Sequence, residues 1–232
     1  IRRMNALILF VLSIGYNRKL LSYPFIPIVL QGIKVACVRG DRELFKDINF
    51  SLGTGGLLQV RGPNGSGKTS LLRMMCGLSL PASGEICWDG VSIGTLNEEY
   101  FARTTYIGHL GGVKDDLTVT ENLCISSAMA GSEISSDDAS KVLNTIGLGG
   151  REHLPVKVLS QGQRRRVALA RLLVCNTTLW ILDEPFVALD VAAVQLLREI
   201  LERHLQQNGM VVMTTHQEID INASSITQLQ LF

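Results

Sequence analysis

The stretch RGPNGSGKTS, Arg61 to Ser70, constrains the fold of this chain more than any other. A short apolar run, GLLQV (Gly56–Val60), leads straight into it. The run KTSLLRMMCGL follows with helical spacing and is closed by Gly77, a helix C-cap signal. Between them Gly62, Pro63, Asn64, Gly65, Ser66, Gly67, Lys68 and Thr69 fit the spacing G-x-x-x-x-G-K-[ST], with Ser70 directly after. Glycines let the backbone wrap an anion so that successive N–H groups point inward, and the helix start adds its positive end. Lys68 is placed to reach β- and γ-phosphates, and the Thr69 hydroxyl to ligate Mg²⁺. A strand, a glycine-rich turn and a helix in this order make a nucleotide-phosphate site.

The rest of the chain supplies a sheet to carry that turn. TTLWILDEP and GMVVMTTH are near-continuous apolar runs, the mark of strands buried on both faces of a parallel sheet. VAAVQLLREILERHLQQ lies between them with helical spacing and provides the crossover. Leu179 to Leu182 deliver Asp183 to a strand's C-terminal edge, where α/β sheets keep their ligands. Asp183 suits the shell of a hard cation, and Glu184, facing differently, suits a general base for an attacking water. Upstream, IKVACV and LFKDINFSL read as strands around a turn at Gly40-Asp41. Residues from about 105 to 170 are more polar and helical, with TVTENLCISSAMA and SSDDASKVLNTIGL as helices, the second capped by Ser135 or Ser136. The class is α/β with a helical insertion.

Composition excludes several partners. Lysine plus arginine number 22 against 21 acidic residues, so charge gives no reason to expect nucleic acid. The 5 cysteines are scattered without a CxxC pair or metal-ligand spacing, which reads as buried free thiols. Residues 1–30 stand apart as an N-terminal extension. Arg2 and Arg3 precede an apolar run, Ala6 to Tyr16, that is too short to span a bilayer, and Pro24 and Pro27 break the next one. A targeting segment, a membrane-surface contact and a misplaced start all fit this extension. The main domain is expected over residues 31–232.

LSQGQRRRVALARLL, Leu159 to Leu173, lies between the phosphate turn and the acidic pair. Together with GPNGSGKTS, ILDEPFVALD and MTTH, in this order, it closely resembles the ATP-binding subunits of ABC transporters. The resemblance runs from Ile33 to near the end. It implies a P-loop NTPase (RecA-like) parallel-sheet core, an antiparallel β subdomain and an inserted helical signature subdomain. By the same resemblance Ser160, Gln161, Gly162 and Gln163 are the signature that touches ATP held by a second copy. Asp190 then belongs to the loop that crosses the dimer interface, and His216 matches the histidine that contacts γ-phosphate. Arg164, Arg165 and Arg166 read as the polar face of the signature helix. A head-to-tail dimer with two composite sites is implied, with ATP and Mg²⁺ bound, and Glu184, His216 and Lys68 as the catalytic set.

Finer matches narrow the family. GEICWDG, YIGH, LSQGQRRRVALARL, LWILDEPF and TTHQ together look like the haem-exporter ATP-binding subunit of the bacterial cytochrome c maturation system. That resemblance implies an ATPase peripheral to the cytoplasmic face of the inner membrane, working with integral membrane subunits. Haem itself is not expected to touch this subunit, since no axial-ligand motif is present. His109 stands where most ABC ATPases carry a glutamine that senses Mg²⁺ and the attacking water. Neutral imidazole is a poor Mg²⁺ ligand, so His109 is expected to act through a water. Arg39 stands near the position where many relatives stack adenine on an aromatic ring. A guanidinium can stack on a base, but adenine selectivity loses a support.

Other classes fit less well. An ABC ATPase energising a different exporter shares every motif. A soluble member acting in DNA repair would carry long coiled coils between turn and signature, and no sustained heptads occur here. Translation-type members usually hold two cassettes per chain, and this chain holds one. A GTPase or kinase would leave the signature unexplained and lacks N-K-x-D. A non-hydrolysing module is disfavoured by the joint presence of Glu184 and His216.

Overall fold

The computed structural model describes residues 29–216 and 219–232. The extension expected over residues 1–30 lies outside these, apart from Val29 and Leu30, which open the first strand. The chain divides into two units, one of residues 29–109, Thr177–Pro185 and Leu201–Phe232, the other of Leu110–Asn176 and Phe186–Ile200.

The first unit holds two sheets. Strands β1 (Val29–Arg39), β2 (Arg42–Gly53), β4 (Ser83–Trp88) and β5 (Val91–Ser92) form an antiparallel sheet in the order β2-β1-β4-β5. Strands β3 (Gly56–Arg61), β6 (Thr104–Ile107), β7 (Leu179–Leu182), β8 (Met210–Thr214) and β9 (Ser225–Gln230) form a second sheet, ordered β6-β7-β8-β3-β9 and parallel throughout. All four residues of β7 and all five of β8 are buried, which is why both read as unbroken apolar runs. Strand β6 falls where the sequence reads as the start of a helical region. Its Thr104 and Thr105 carry little apolar signal, and its pairing with β7 makes it a strand.

Helix α1 (Lys68–Met75) follows β3 through the glycine turn and buries Leu71, Leu72, Met74 and Met75. These join Leu58, Val60, Leu179, Ile181, Met210 and Val212 in one core. Gly77, at φ +67, ends the helix with its neighbour's N–H on the Arg73 carbonyl at 2.9 Å. At the other end Gly67 takes φ +96, and a Cβ there would sit 2.8 Å from the Phe45 ring. Only glycine lets the turn lie this close to β2.

The second unit is helical: α2 (Val119–Met129), α3 (Ser136–Thr145) and α4 (Gln161–Ala170), with α5 (Val191–Gln206) beginning here and ending in the first unit. Thr118 and Glu121 form a reciprocal capping box on α2, and Ser160 and Gln163 another on α4. Of the two serines at the start of α3, Ser135 is the cap, accepting from the Asp138 N–H, and Ser136 is the first helical residue. All five cysteines are free; four are buried and Cys124 is half-buried.

Candidate active site

The order of the parallel sheet decides which side chains meet. Strand β8 lies between β3, which carries the phosphate turn, and β7, which carries the acidic pair. Thr214 pairs with Val60 on one side, while Leu182, just before Asp183, pairs with Met213 on the other. The C-terminal ends of three strands therefore open at one level, the edge where α/β sheets hold ligands.

A continuous line of polar contacts runs along that edge. The Thr69 hydroxyl donates to Asp183 Oδ2 at 2.8 Å. The Thr214 hydroxyl donates to Asp183 Oδ1 at 2.7 Å and accepts the Glu184 N–H at 2.8 Å. His216 Nε2 lies 3.2 Å from Glu184 Oε1. Asp183 and Thr214 are buried, whereas Thr69 and His216 are exposed at the mouth. The two acidic residues do face differently, Asp183 toward the two threonines and Glu184 toward His216. This divergence has a backbone cause, because Glu184 takes φ +49. A non-glycine residue held there costs about 1–3 kcal/mol and persists only where its surroundings fix it; the Thr214 bond is one such restraint.

The turn is held from within. Lys68, buried in its first helical turn, donates Nζ to the carbonyls of Gly62 at 2.7 Å and Pro63 at 3.1 Å. Pro63, Asn64 and Gly65 are exposed, and Ser70 is half-buried on α1. Ser66 Oγ is buried with no hydrogen-bond partner among the described residues. An orphaned hydroxyl inside a turn that gathers N–H groups suits an oxyanion ligand. Thr69 and Asp183 offer hard oxygen donors side by side, the chemistry Mg²⁺ takes. Among the described residues no cluster of three His, Cys, Asp or Glu could hold a metal by itself. The residues thus fit a Mg²⁺ that keeps its waters and shares phosphate oxygens.

Thr214 is the member that sequence reasoning missed. It reads as the polar tail of an apolar strand; two threonines directly before His216 were the available signal. His109 ends this unit in an exposed turn, two residues beyond β6. Just before it, a Cβ on Gly108 would meet the Tyr106 hydroxyl at 2.9 Å. Burial, then the charge of Asp183, pushes the Tyr106 phenol up to about 12, so it stays protonated. Arg39 ends β1 exposed at the hairpin tip, paired across the turn with Arg42.

The helical unit gathers the remaining residues. Ser160 and Gln161 are exposed at the start of α4, with Gly162 and Gln163 half-buried. The Ser160 Oγ accepts the Gln163 N–H at 3.2 Å, and Gln163 Oε1 accepts the Ser160 N–H at 3.0 Å. The Ser160 hydroxyl proton is not used by this cap. The three arginines do not all form a polar face. Arg165 is buried, Arg164 pairs with Asp115 at 3.0 Å, and Arg166 pairs with Asp190 at 2.6 Å.

The family pattern described as "ABC transporter" matches residues 45–187, which include the turn, the signature and the acidic pair. The chain belongs to the ABC transporter family. Within it, the chain is 63% identical over 202 residues to the cytochrome c biogenesis ATP-binding export protein CcmA of Nitrosospira multiformis, covering 87% of this chain and 98% of that protein. It is 58% identical to CcmA of Nitrosomonas europaea, covering 88% and 95%. It is thus a member of the cytochrome c biogenesis ATP-binding export proteins, and an ATPase of the ABC type. Among solved structures, an ABC transporter ATP-binding protein from Pyrococcus furiosus superposes with a TM-score of 0.74 at 24% identity, covering 87% of this chain and 97% of that one. A dimeric ATP-binding cassette bound to ADP and phosphate gives 0.71 at 23%, covering 81% and 88%. At these identities the two structures speak for the fold. Among the described residues, no helix of this ABC ATPase is long and apolar enough to cross a membrane.

Proposed function

We propose that this chain is the ATP-hydrolysing subunit of a membrane export system that delivers haem for cytochrome c assembly, and that it works as a head-to-tail pair on integral membrane subunits. The observation that carries the catalytic part is the line Thr69–Asp183–Thr214–Glu184–His216 along one sheet edge. Lys68 and the backbone N–H groups of the Gly62–Ser70 turn, other than Pro63, bind the phosphates of ATP. Thr69 would hold Mg²⁺ directly and Asp183 would hold it through water, and the bound ion would supply positive charge against the phosphates. Glu184 takes the proton of the attacking water, and His216, beside it, contacts the γ-phosphate. His109 acts through a hydrogen bond to a metal-bound or attacking water.

Each site is completed by Ser160, Gln161, Gly162 and Gln163 of a second copy, with Asp190 at the crossing loop. One ATP-binding domain then spans residues 31–232, with its helical subdomain over about 105–170 and residues 1–30 as an extension. The subunit sits peripherally on the cytoplasmic face of the inner membrane, and haem passes through its partners without touching it. The names of the curated relatives support the export role.

Two measurements test this reading. Glu184→Gln should lose steady-state hydrolysis while trapping an ATP-bound dimer; undiminished hydrolysis would remove Glu184 as the base. Purification of the full chain from membranes should bring integral membrane proteins with it. Recovery of soluble factors alone would overturn the transport reading.

A further inference from the structure

Arg166 holds together two segments of the helical unit that sequence order keeps apart. Its Nη2 donates to Asp190 Oδ2 at 2.6 Å, while Nη1 donates to the Ile146 carbonyl at 3.2 Å. Asp190 spends its other oxygen on the Ala193 N–H at 2.9 Å, capping the first turn of α5. One carboxylate thus fixes the start of a helix and the side chain of another helix.

The surrounding backbone is shaped around this pair. Gly147 takes φ +77 after α3, and a Cβ there would lie 2.3 Å from Arg166 Nη1. Its glycine keeps the space for the guanidinium. One helical turn before Arg166, on the same face of α4, a Cβ on Gly162 would lie 2.7 Å from the Ala188 carbonyl oxygen. Ala188 itself takes φ +63. The turn at residues 188–190 is therefore clasped twice by α4, by backbone contact at Gly162 and by charge at Arg166.

The exposure of the pair argues against a purely stabilising role. The Arg166 side chain is 19% exposed and Asp190 65%, and ion pairs open to solvent contribute little to folding. What the pair does fix is geometry. An arginine fork serves two acceptors in fixed directions, which a lysine ammonium on a flexible stem does not.

We propose that Arg166 is a positioning residue that locks the turn at residues 188–190 to the start of α4, so that Ser160 to Gln163 and Asp190 meet a second copy of this chain as one preset surface. Both halves of the surface then engage or release together, which makes ATP-driven pairing cooperative. This rests on the head-to-tail reading above.

The test uses the full chain carrying Glu184→Gln as parent, with Arg166→Met, Arg166→Lys, Asp190→Asn and the reversal Arg166→Asp with Asp190→Arg. Asp190→Asn keeps the α5 cap and removes only the charge. Binding of a fluorescent ATP analogue to the monomer should stay within about twofold of the parent. ATP-dependent dimerisation, followed by sedimentation, should weaken about tenfold in Arg166→Met and Asp190→Asn, less in Arg166→Lys, and recover in part on reversal. Dimerisation of Arg166→Met within twofold of the parent would overturn the role of Arg166. Failure of the parent itself to pair with ATP would instead overturn the two-copy reading, and this inference with it.

Discussion

Thr214 donates its hydroxyl proton to Asp183 at 2.7 Å while accepting the N–H of Glu184 at 2.8 Å. A single buried hydroxyl thereby holds the Asp183 carboxylate and the backbone of Glu184, whose side chains lie toward Thr69 and His216. Thr214→Val keeps the shape and removes both hydrogen bonds, at about 1–3 kcal/mol. Turnover should fall about 10- to 100-fold with ATP affinity nearly kept, because the phosphate turn is untouched. Thr214→Ser should retain most of the activity. Steady-state hydrolysis and nucleotide binding on the three chains check this; equal turnover in all would leave Thr214 as a packing residue.

Lys68 offers a second test. Its side chain is buried and donates to the carbonyls of Gly62 and Pro63, so it braces the turn from inside in addition to the phosphate role proposed above. Lys68→Ala should therefore weaken ATP binding at least about tenfold, more than loss of one surface charge would. Equilibrium binding measures it, and unchanged affinity refutes the phosphate role.

Much of the candidate site is legible in the sequence because strands buried on both faces leave long apolar runs that end abruptly in polar residues. The turns after Val60, Leu182 and Thr214 announce themselves this way. Strands β6 and β9 do not. Thr105 is satisfied by Thr177, with their hydroxyl oxygens 2.6 Å apart, and β9 is largely exposed; both owe their strand state to pairing with β7 and β3. Likewise RRRV reads as a polar helix face, yet Arg165 turns inward and Arg166 reaches Asp190. A partner 24 residues away in the chain is visible only in the fold.

Stability should depend on pH through His204. Its ring stacks on Trp180 at 3.6 Å and 4°, and donates Nε2–H to the Thr178 carbonyl at 3.2 Å. Burial pushes it down to about 4, so the folded chain keeps it neutral where the unfolded chain takes up a proton. The His204 contribution is thus whole above the unfolded value near 6.5, is lost as pH falls toward 4, and levels off below. At about pH 5 the loss amounts to about 2 kcal/mol. Urea midpoints at about pH 7 and 5 measure it. His204→Phe, which keeps a stacking ring without a titrating group, should flatten the difference; an equal drop in the variant would assign the effect elsewhere.

His109 is the most specific prediction of the site. It lies in an exposed turn two residues past β6, and Gly108 before it is kept small by the Tyr106 hydroxyl. The end of β6 is tied to the candidate site, because the Asp183 N–H donates to the Ile107 carbonyl at 2.8 Å. A histidine here brings nitrogen where Mg²⁺ prefers oxygen. Action through a hydrogen bond to water therefore predicts a particular ranking. His109→Gln, which keeps a polar group of similar reach, should hold turnover within a few-fold, and His109→Ala should lower it at least about tenfold, with Mg²⁺ dependence unchanged in both. A direct metal ligand would instead raise the Mg²⁺ requirement in His109→Ala. Wild-type turnover in both variants would make the histidine a loop residue.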